Sequence, residues 1–356
     1  MFAARTLFVV GAGASSEAGF PVGYQLAEKI ARALDFHTEF GDLKSGDAEL
    51  YQALRRHCGP KDFGSYLRAS RLIQQGIQLV RSIDNFIDAH RENGEIACCG
   101  KFAIAQQMLL AEASSELRQR ESRRGTYVHL DDIDDTWFAH FARMLVSDVP
   151  TSSYANLFSN VSFISFNYDR TIEQFLRSWL ARVVGVSDME ATPYLDGLQV
   201  LHPYGSLGPA YGNHAVPFAA EPRRCDLPTI ANNIRTYTEQ VDDESLLSSI
   251  QERVSSSSTI VFLGFHFHEQ NMRLLSPTGP VKAKQIFATA KGFSGADTAS
   301  IANMLSDLFR ERPGKKGGRA GGAPEVFVRN DLTCSGLFKE YQRSLRGAPN
   351  VLVREL

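Results

Sequence analysis

The stretch from Thr6 to Val10, followed at once by Gly11-Ala12-Gly13-Ala14-Ser15-Ser16-Glu17-Ala18-Gly19, constrains this chain more than any other part of it. Thr6 to Val10 is a β-branched and aromatic run that reads as a strand. Two glycines behind a strand let the backbone turn sharply and approach a pyrophosphate, whose charge helix N–H groups and the macrodipole can receive. Pro21 and Gly23 interrupt the next stretch, and Tyr24 to Leu34 then carries apolar residues at helical spacing. A strand therefore enters a phosphate-type loop that leads into a helix. The full Gly-x-Gly-x-x-Gly pattern is absent: Ser16 stands where the third glycine belongs, and no clear second-strand acid follows about 20 residues on. That disfavours a hydride-transfer dehydrogenase. The structural alternative is a glycine-rich turn with no ligand.

Residues 36–150 read differently. Tyr66 to Ile83, Lys101 to Arg120 and Asp134 to Val149 space their apolar residues by three and four, which predicts a mostly helical insertion. Trp137, Phe138, Phe141 and Leu145 form a stripe on it that reads as helix core. From Val161 short apolar runs return (VSFISF, LQVLH, TIVFLGF and KQIFATA), the pattern of buried parallel strands. The expected fold is α/β: a Rossmann-like parallel sheet with helices on both faces and a large helical insertion. Residues 1–35 and 151–356 would form a discontinuous nucleotide-binding core, and 36–150 an insertion subdomain, because a core seldom grows undivided beyond about 250–300 residues.

Charge and cysteine content exclude several classes. A formal net charge of −2 in 356 residues supplies no global field for nucleic acid or anionic lipid. Arg312 to Pro324, rich in Gly and Lys/Arg, reads as a flexible loop, with local nucleic-acid contact as its functional alternative. No apolar run reaches the roughly 18 residues needed to span a bilayer, and Leu7 to Ala14 is too short and glycine-broken for a signal peptide, so cytoplasm is the default location. The five cysteines are an odd number with no Cys-x-x-Cys pair, which argues against a disulfide framework and a four-cysteine zinc site. Asp131, Asp134 and Asp135 sit before an apolar helical run, where acids suit the positive end of the helix dipole better than they suit a nuclease metal site.

Three further constellations follow strands. Ser165-Phe166-Asn167-Tyr168-Asp169 places an amide and a carboxylate at a strand's carboxyl end, where open α/β sheets hold ligands. Asn167 and Asp169 would point the same way if the strand continued, although Asp169 also suits the cap of a helix starting at Thr171. Leu201-His202-Pro203-Tyr204-Gly205-Ser206 offers a histidine that titrates near neutral pH. Leu263-Gly264-Phe265-His266-Phe267-His268 offers a glycine with room for a cofactor and two histidines without the third and fourth ligands a metal needs, so no metal is expected.

In this order, these segments resemble the sirtuin-like family (silent information regulator two-like), specifically its zinc-free bacterial branch. The resemblance implies that Gly11, Ala12, Gly13, Ser15 and Ser16 bind a dinucleotide, that Asn167 and Asp169 contact the nicotinamide ribose, that His202 with Gly205 behind it acts as a base, and that Gly264 lies near the adenosine ribose. Ser82-Ile83-Asp84-Asn85-Phe86 and Thr289-Ala290-Lys291-Gly292 also look like sequences of bacterial antiphage members. The matches run from about residue 7 to 293 on short segments only. The family's two zinc-binding Cys-x-x-Cys pairs are missing, and Pro21-Val22-Gly23-Tyr24 stands where protein-deacylating members carry Pro-Asp-Phe-Arg, which weakens deacylation.

The activity expected from this resemblance is cleavage of the nicotinamide–ribose bond of NAD, which is substrate here, by water. Asn167 would orient the ribose and water, His202 would serve as base and Asp169 would support the electrostatics. The products would be nicotinamide and ADP-ribose, depleting NAD in antiphage defence. The alternatives are a catalytically silent NAD or ADP-ribose sensor, and an NAD-dependent deacylase or ADP-ribosyltransferase. The resemblance also implies a homo-oligomer and a separately encoded ATPase of the HerA type, since the chain has no Gly-x-x-x-x-Gly-Lys-Ser/Thr motif of its own.

Overall fold

A computed structural model describes residues 2, 4–40, 42–122, 125–212, 214–241, 243–310 and 322–346. Six strands form the central sheet: β1 (Thr6–Val10), β2 (Val161–Ser165), β3 (Val200–Leu201), β4 (Thr259–Leu263), β5 (Gln285–Thr289) and β6 (Glu325–Arg329). All pair in parallel, in the order β6-β5-β4-β1-β2-β3. This is the doubly wound Rossmann order read from the β3 edge as 3-2-1-4-5-6. The near-continuous apolar composition of β1, β2 and β4 is explained by placement, since all fifteen of their residues are buried. Parallel strands need crossover connections, and by the general right-handed rule this order sends those of the two halves to opposite faces, so helices cover the sheet on both sides.

The LQVLH run contracts to the two-residue strand β3, at the sheet edge. β6 lies outside the expected strands; EVFVR is as long as β1 but has a charged residue at each end, is only partly buried, and pairs with β5 alone at the sheet edge.

Residues 36–150 hold the helices Ala48–Gly76, Ile83–Ala89, Gly94–Ser114 and Trp137–Val146, with two short antiparallel hairpins. The expected run from Tyr66 to Ile83 divides because the Ser82 hydroxyl accepts from Asn85 N–H and starts a new helix. Gly59, at φ 74°, kinks the helix Ala48–Gly76 ahead of Pro60. Trp137, Phe138, Phe141 and Leu145 are all buried, and Phe141 packs against Phe8 of β1 and Phe163 of β2, with ring centroids 5.3 and 5.4 Å apart.

A buried ion pair ties this region to the rest. Glu112, near the end of Gly94–Ser114, takes a two-point hydrogen bond from Arg170 at 2.9 and 2.6 Å, and Arg170 also donates to the carbonyls of Pro209 and Val216. No helix among the described residues is long and apolar enough to cross a membrane. The basic segment from Arg312 lies outside the described residues as far as Gly321.

Candidate functional site

Chain order reverses between β1 and β4, and the crevice above their carboxyl ends is where doubly wound sheets bind ligands. A cleft of about 670 Å³ opens there, lined by Gly11, Ala12, Gly13, Ser16, Asn167 and Gly264 among others. Its floor is a close approach of two backbones. Gly11 N–H donates to Leu263 O at 2.9 Å and Gly13 N–H to Gly264 O at 3.0 Å. A Cβ on Gly264 would lie 2.1 Å from Ala14 N, and Gly264 sits at φ 55°, so no side chain fits without moving the loop. Glu17, from the same loop, accepts from Trp137 N–H and Ser335 N–H and locks the loop to the two helices that begin there.

Ser15 does not line the cleft. It is buried, and its hydroxyl takes a 2.8 Å hydrogen bond from Asn167 Nδ2 while meeting Thr171 Oγ1 at 3.3 Å. Strand β2 ends at Ser165, so Asn167 and Asp169 belong to the turn that follows it and do not share a strand face. Asn167 faces the cleft with its amide orientation fixed by Ser15, and its Oδ1 accepts no hydrogen bond from the described residues. Asp169 turns inward, accepting from Thr171 N–H at 3.1 Å and Thr171 Oγ1 at 2.7 Å at the start of helix Thr171–Val184. Burial raises its carboxyl above the ordinary range despite those bonds. Ser16 stays on the cleft, its hydroxyl donating to Gly13 O.

His202 opens onto a neighbouring cleft of about 650 Å³, lined also by Glu173, Ser206, Tyr211, Asn233 and Arg235. Its Nδ1 is 3.2 Å from Asn167 O and its Nε2 is 2.9 Å from Glu173 Oε1. Asn167 is thus the wall between the two clefts, with its side chain on one and its carbonyl against the histidine of the other. With an acceptor at each ring nitrogen, the doubly protonated imidazolium is the form that satisfies both contacts. Burial is the largest single influence and opposes that charge, but the Glu173 carboxylate, the Asn167 carbonyl and Asp169 together outweigh it and the imidazole pKa lies above its ordinary value; reciprocally, His202 holds Glu173 below the usual carboxylate range against its own burial. Glu173 Oε2 is buried with no partner among the described residues.

Sequence reasoning did not single out Glu173, which reads only as a first-turn helix acid. Asp84 was seen as part of a segment but given no role. It lines the switch-point cleft, accepts from Tyr168 OH, and is raised by burial to about 6. Tyr204 OH donates to Asn271 Oδ1 at 2.8 Å on the same wall. His266 and His268 stand with ring centroids 4.8 Å apart, and among the described residues no group of three His, Cys, Asp or Glu side chains is placed to hold a metal.

No family model matches the chain, and no curated protein does. Among solved structures it is similar to a crystal structure of a Sir2 homologue in complex with NAD, at 12% identity over 97% of this chain and 91% of that one, with a TM-score of 0.40. It is also similar to a mutant Sir2 homologue in complex with 2′-O-acetyl ADP-ribose, at 13% identity over 99% and 96%, with a TM-score of 0.39.

Proposed function

We propose that the chain is an NAD hydrolase that cleaves the nicotinamide–ribose bond. The observation that carries this reading is the Asn167 side-chain amide on the switch-point cleft, its nitrogen clamped by Ser15, its oxygen without a partner among the described residues, and its backbone in contact with His202. NAD would be bound as substrate, with its diphosphate near the Gly11–Gly13 loop and its nicotinamide ribose at Asn167. The nicotinamide is a cationic leaving group, so the work of the site is to support an oxocarbenium-like ribose and place a water. Water bonds to C1′ as the C1′–N bond breaks, the electron pair neutralises the ring nitrogen, and the water's proton passes to the His202–Glu173 pair, which requires the nicotinamide ribose to reach past Asn167 to the neighbouring cleft that this pair lines. With an acceptor at each ring nitrogen, the imidazole takes that proton at Nε2, as the Nε2 proton passes to Glu173. Asp169 acts at one remove, fixing Thr171 and with it Ser15.

The same reading makes the chain a zinc-free sirtuin-like protein of antiphage defence, cytoplasmic and homo-oligomeric, with a separately encoded ATPase of the HerA type as its partner, a core of 1–35 and 151–356 and an insertion of 36–150. Attack by a protein side chain or an acyl-lysine amide would use the same intermediate and give ADP-ribosylation or deacylation. A sensor that binds NAD without turnover is favoured by one observation, the engagement of both His202 nitrogens. The test is a time course of nicotinamide and ADP-ribose from NAD beside a direct binding measurement. Equimolar release supports the hydrolase, and saturable binding without release supports the sensor.

A further inference from the structure

β4 runs out into Gly264-Phe265-His266-Phe267-His268, and two left-handed residues bend it, Gly264 at φ 55° and Phe267 at φ 52°. For a bulky residue such as Phe267 this is a strained conformation, of the kind concentrated at ligand sites. Its ring is packed 5.4 Å from Phe262 and 5.3 Å from Phe265, and the bend brings His266 and His268 together on the switch-point cleft. Neither imidazole has a hydrogen-bond partner among the described residues.

Lys291, just beyond β5, and Arg81, ahead of the Ser82 cap, line the same cleft, and neither makes a hydrogen bond or ion pair with a described residue. Of the carboxylates on the same cleft, Glu17 accepts from two backbone N–H groups, Asp297 from the Ser294 hydroxyl and Asp84 from Tyr168, and none of them pairs with Arg81 or Lys291. This wall therefore carries two fixed cations that are unpaired among the described residues, and two protonatable rings. Burial, His266 and Arg81 hold His268 down to about 4, and burial and Arg81 lower His266, as expected of rings beside uncompensated positive charge.

Two phosphates of a dinucleotide near the Gly11–Gly13 loop do not use this wall. With the nicotinamide ribose at Asn167, beyond β2, the adenosine ribose falls on the other side of the switch point, beyond β4 and β5, where the wall stands. A phosphomonoester carries about −1.5 to −2 charges at neutral pH and suits Arg and Lys together, and an Arg near the adenosine ribose is a general means of holding a 2′-phosphate. We propose that His266, His268, Arg81 and Lys291 receive a phosphomonoester on the adenosine ribose, so that the cleft selects a 2′-phosphorylated dinucleotide over NAD. This rests on the dinucleotide reading above and names its substrate class.

The experiment is calorimetric titration of the full chain with 2′-phospho-ADP-ribose and with ADP-ribose, which requires no turnover, in wild type, Arg81→Met/Lys291→Met and His266→Gln/His268→Gln. Wild type is expected to bind the phosphorylated ligand at least about tenfold more tightly. Each double variant is expected to lose most of that preference while its ADP-ribose affinity, which also reports correct folding, changes by less than about threefold. Equal affinities in wild type overturn the proposal and leave the dinucleotide reading standing. Failure of both ligands to bind overturns the two together.

Discussion

His202 Nε2 lies 2.9 Å from Glu173 Oε1, and the other ring nitrogen faces the Asn167 carbonyl, so this histidine is built to carry a proton on each side. Its folded pKa is raised above the 6.5 of the free group, so its share of stability is fully present below that pH and is lost as pH rises through the folded value. Glu173 is held below 4.5, so its share is present above that pH and is lost as pH falls through the folded value. Glu173→Gln is therefore expected to destabilise by about 3 kcal/mol near pH 5.5, with a smaller loss well above the raised histidine pKa, and to lower the His202 titration midpoint. Urea unfolding at both ends of the range and an NMR titration of the imidazole check this. An unchanged midpoint contradicts the ion pair.

Gly264 and Gly23 form a matched pair of tests for the loop. An alanine Cβ at Gly264 would fall 2.3 Å from Gly13 C with φ at 55°, whereas at Gly23 it meets nothing within 4 Å. Gly264→Ala should cost about 3 kcal/mol or more and abolish nucleotide binding. Gly23→Ala should stay within about 1 kcal/mol of wild type. Chemical denaturation of the two side by side decides it.

Asp84 is raised from 3.8 to about 6, so the fold loses stability as pH rises from about 4 to 6 and the carboxyl ionises in place. Asp84→Asn keeps an acceptor for Tyr168 and removes that ionisation. The variant should be more stable than wild type at pH 7 by about 1–3 kcal/mol and no more stable at pH 4, as stability–function trade-offs at ligand sites lead one to expect. Thermal unfolding at the two pH values reads the difference directly, and a destabilised variant at pH 7 refutes the assignment.

Arg170 and Glu112 are 1% and 0% exposed and join the helix Gly94–Ser114 to the loop that carries Pro209 and Val216. Arg170→Met strands a buried carboxylate and should cost about 3–5 kcal/mol, while Arg170→Met/Glu112→Leu should recover part of it. A double-mutant cycle measures the coupling, and additivity of the two single changes would rule out the pair.

Much of this architecture was legible in the sequence, because burial on both faces writes itself into β1, β2 and β4 as near-continuous apolar runs, and because two glycines behind a strand have few other uses. β6 was not legible because an edge strand needs only one neighbour, and EVFVR, closed by Glu325 and Arg329 and only partly buried, lacks the apolar run of the central strands. The site was legible as segments but not as contacts. Asn167 and His202 stand out by residue type at strand ends, yet Ser15 looks like a loop serine until Asn167 reaches it across 152 positions. Glu173 was invisible for a related reason, since a glutamate in the first turn of a helix is ordinary until a histidine 29 residues later closes on it. Asp84 comes from the helical region, whose packing against the sheet no local pattern encodes.

The most direct test of the central claim is release of nicotinamide and ADP-ribose from NAD by purified wild type, Asn167→Ala and His202→Ala, each with and without extract of infected cells. The account predicts equimolar release by wild type and a loss of at least about a hundredfold in both variants, the usual weight of a positioned proton-transfer or orienting group. Wild type that binds NAD yet releases nothing under either condition, or variants that turn over as fast as wild type, would contradict it.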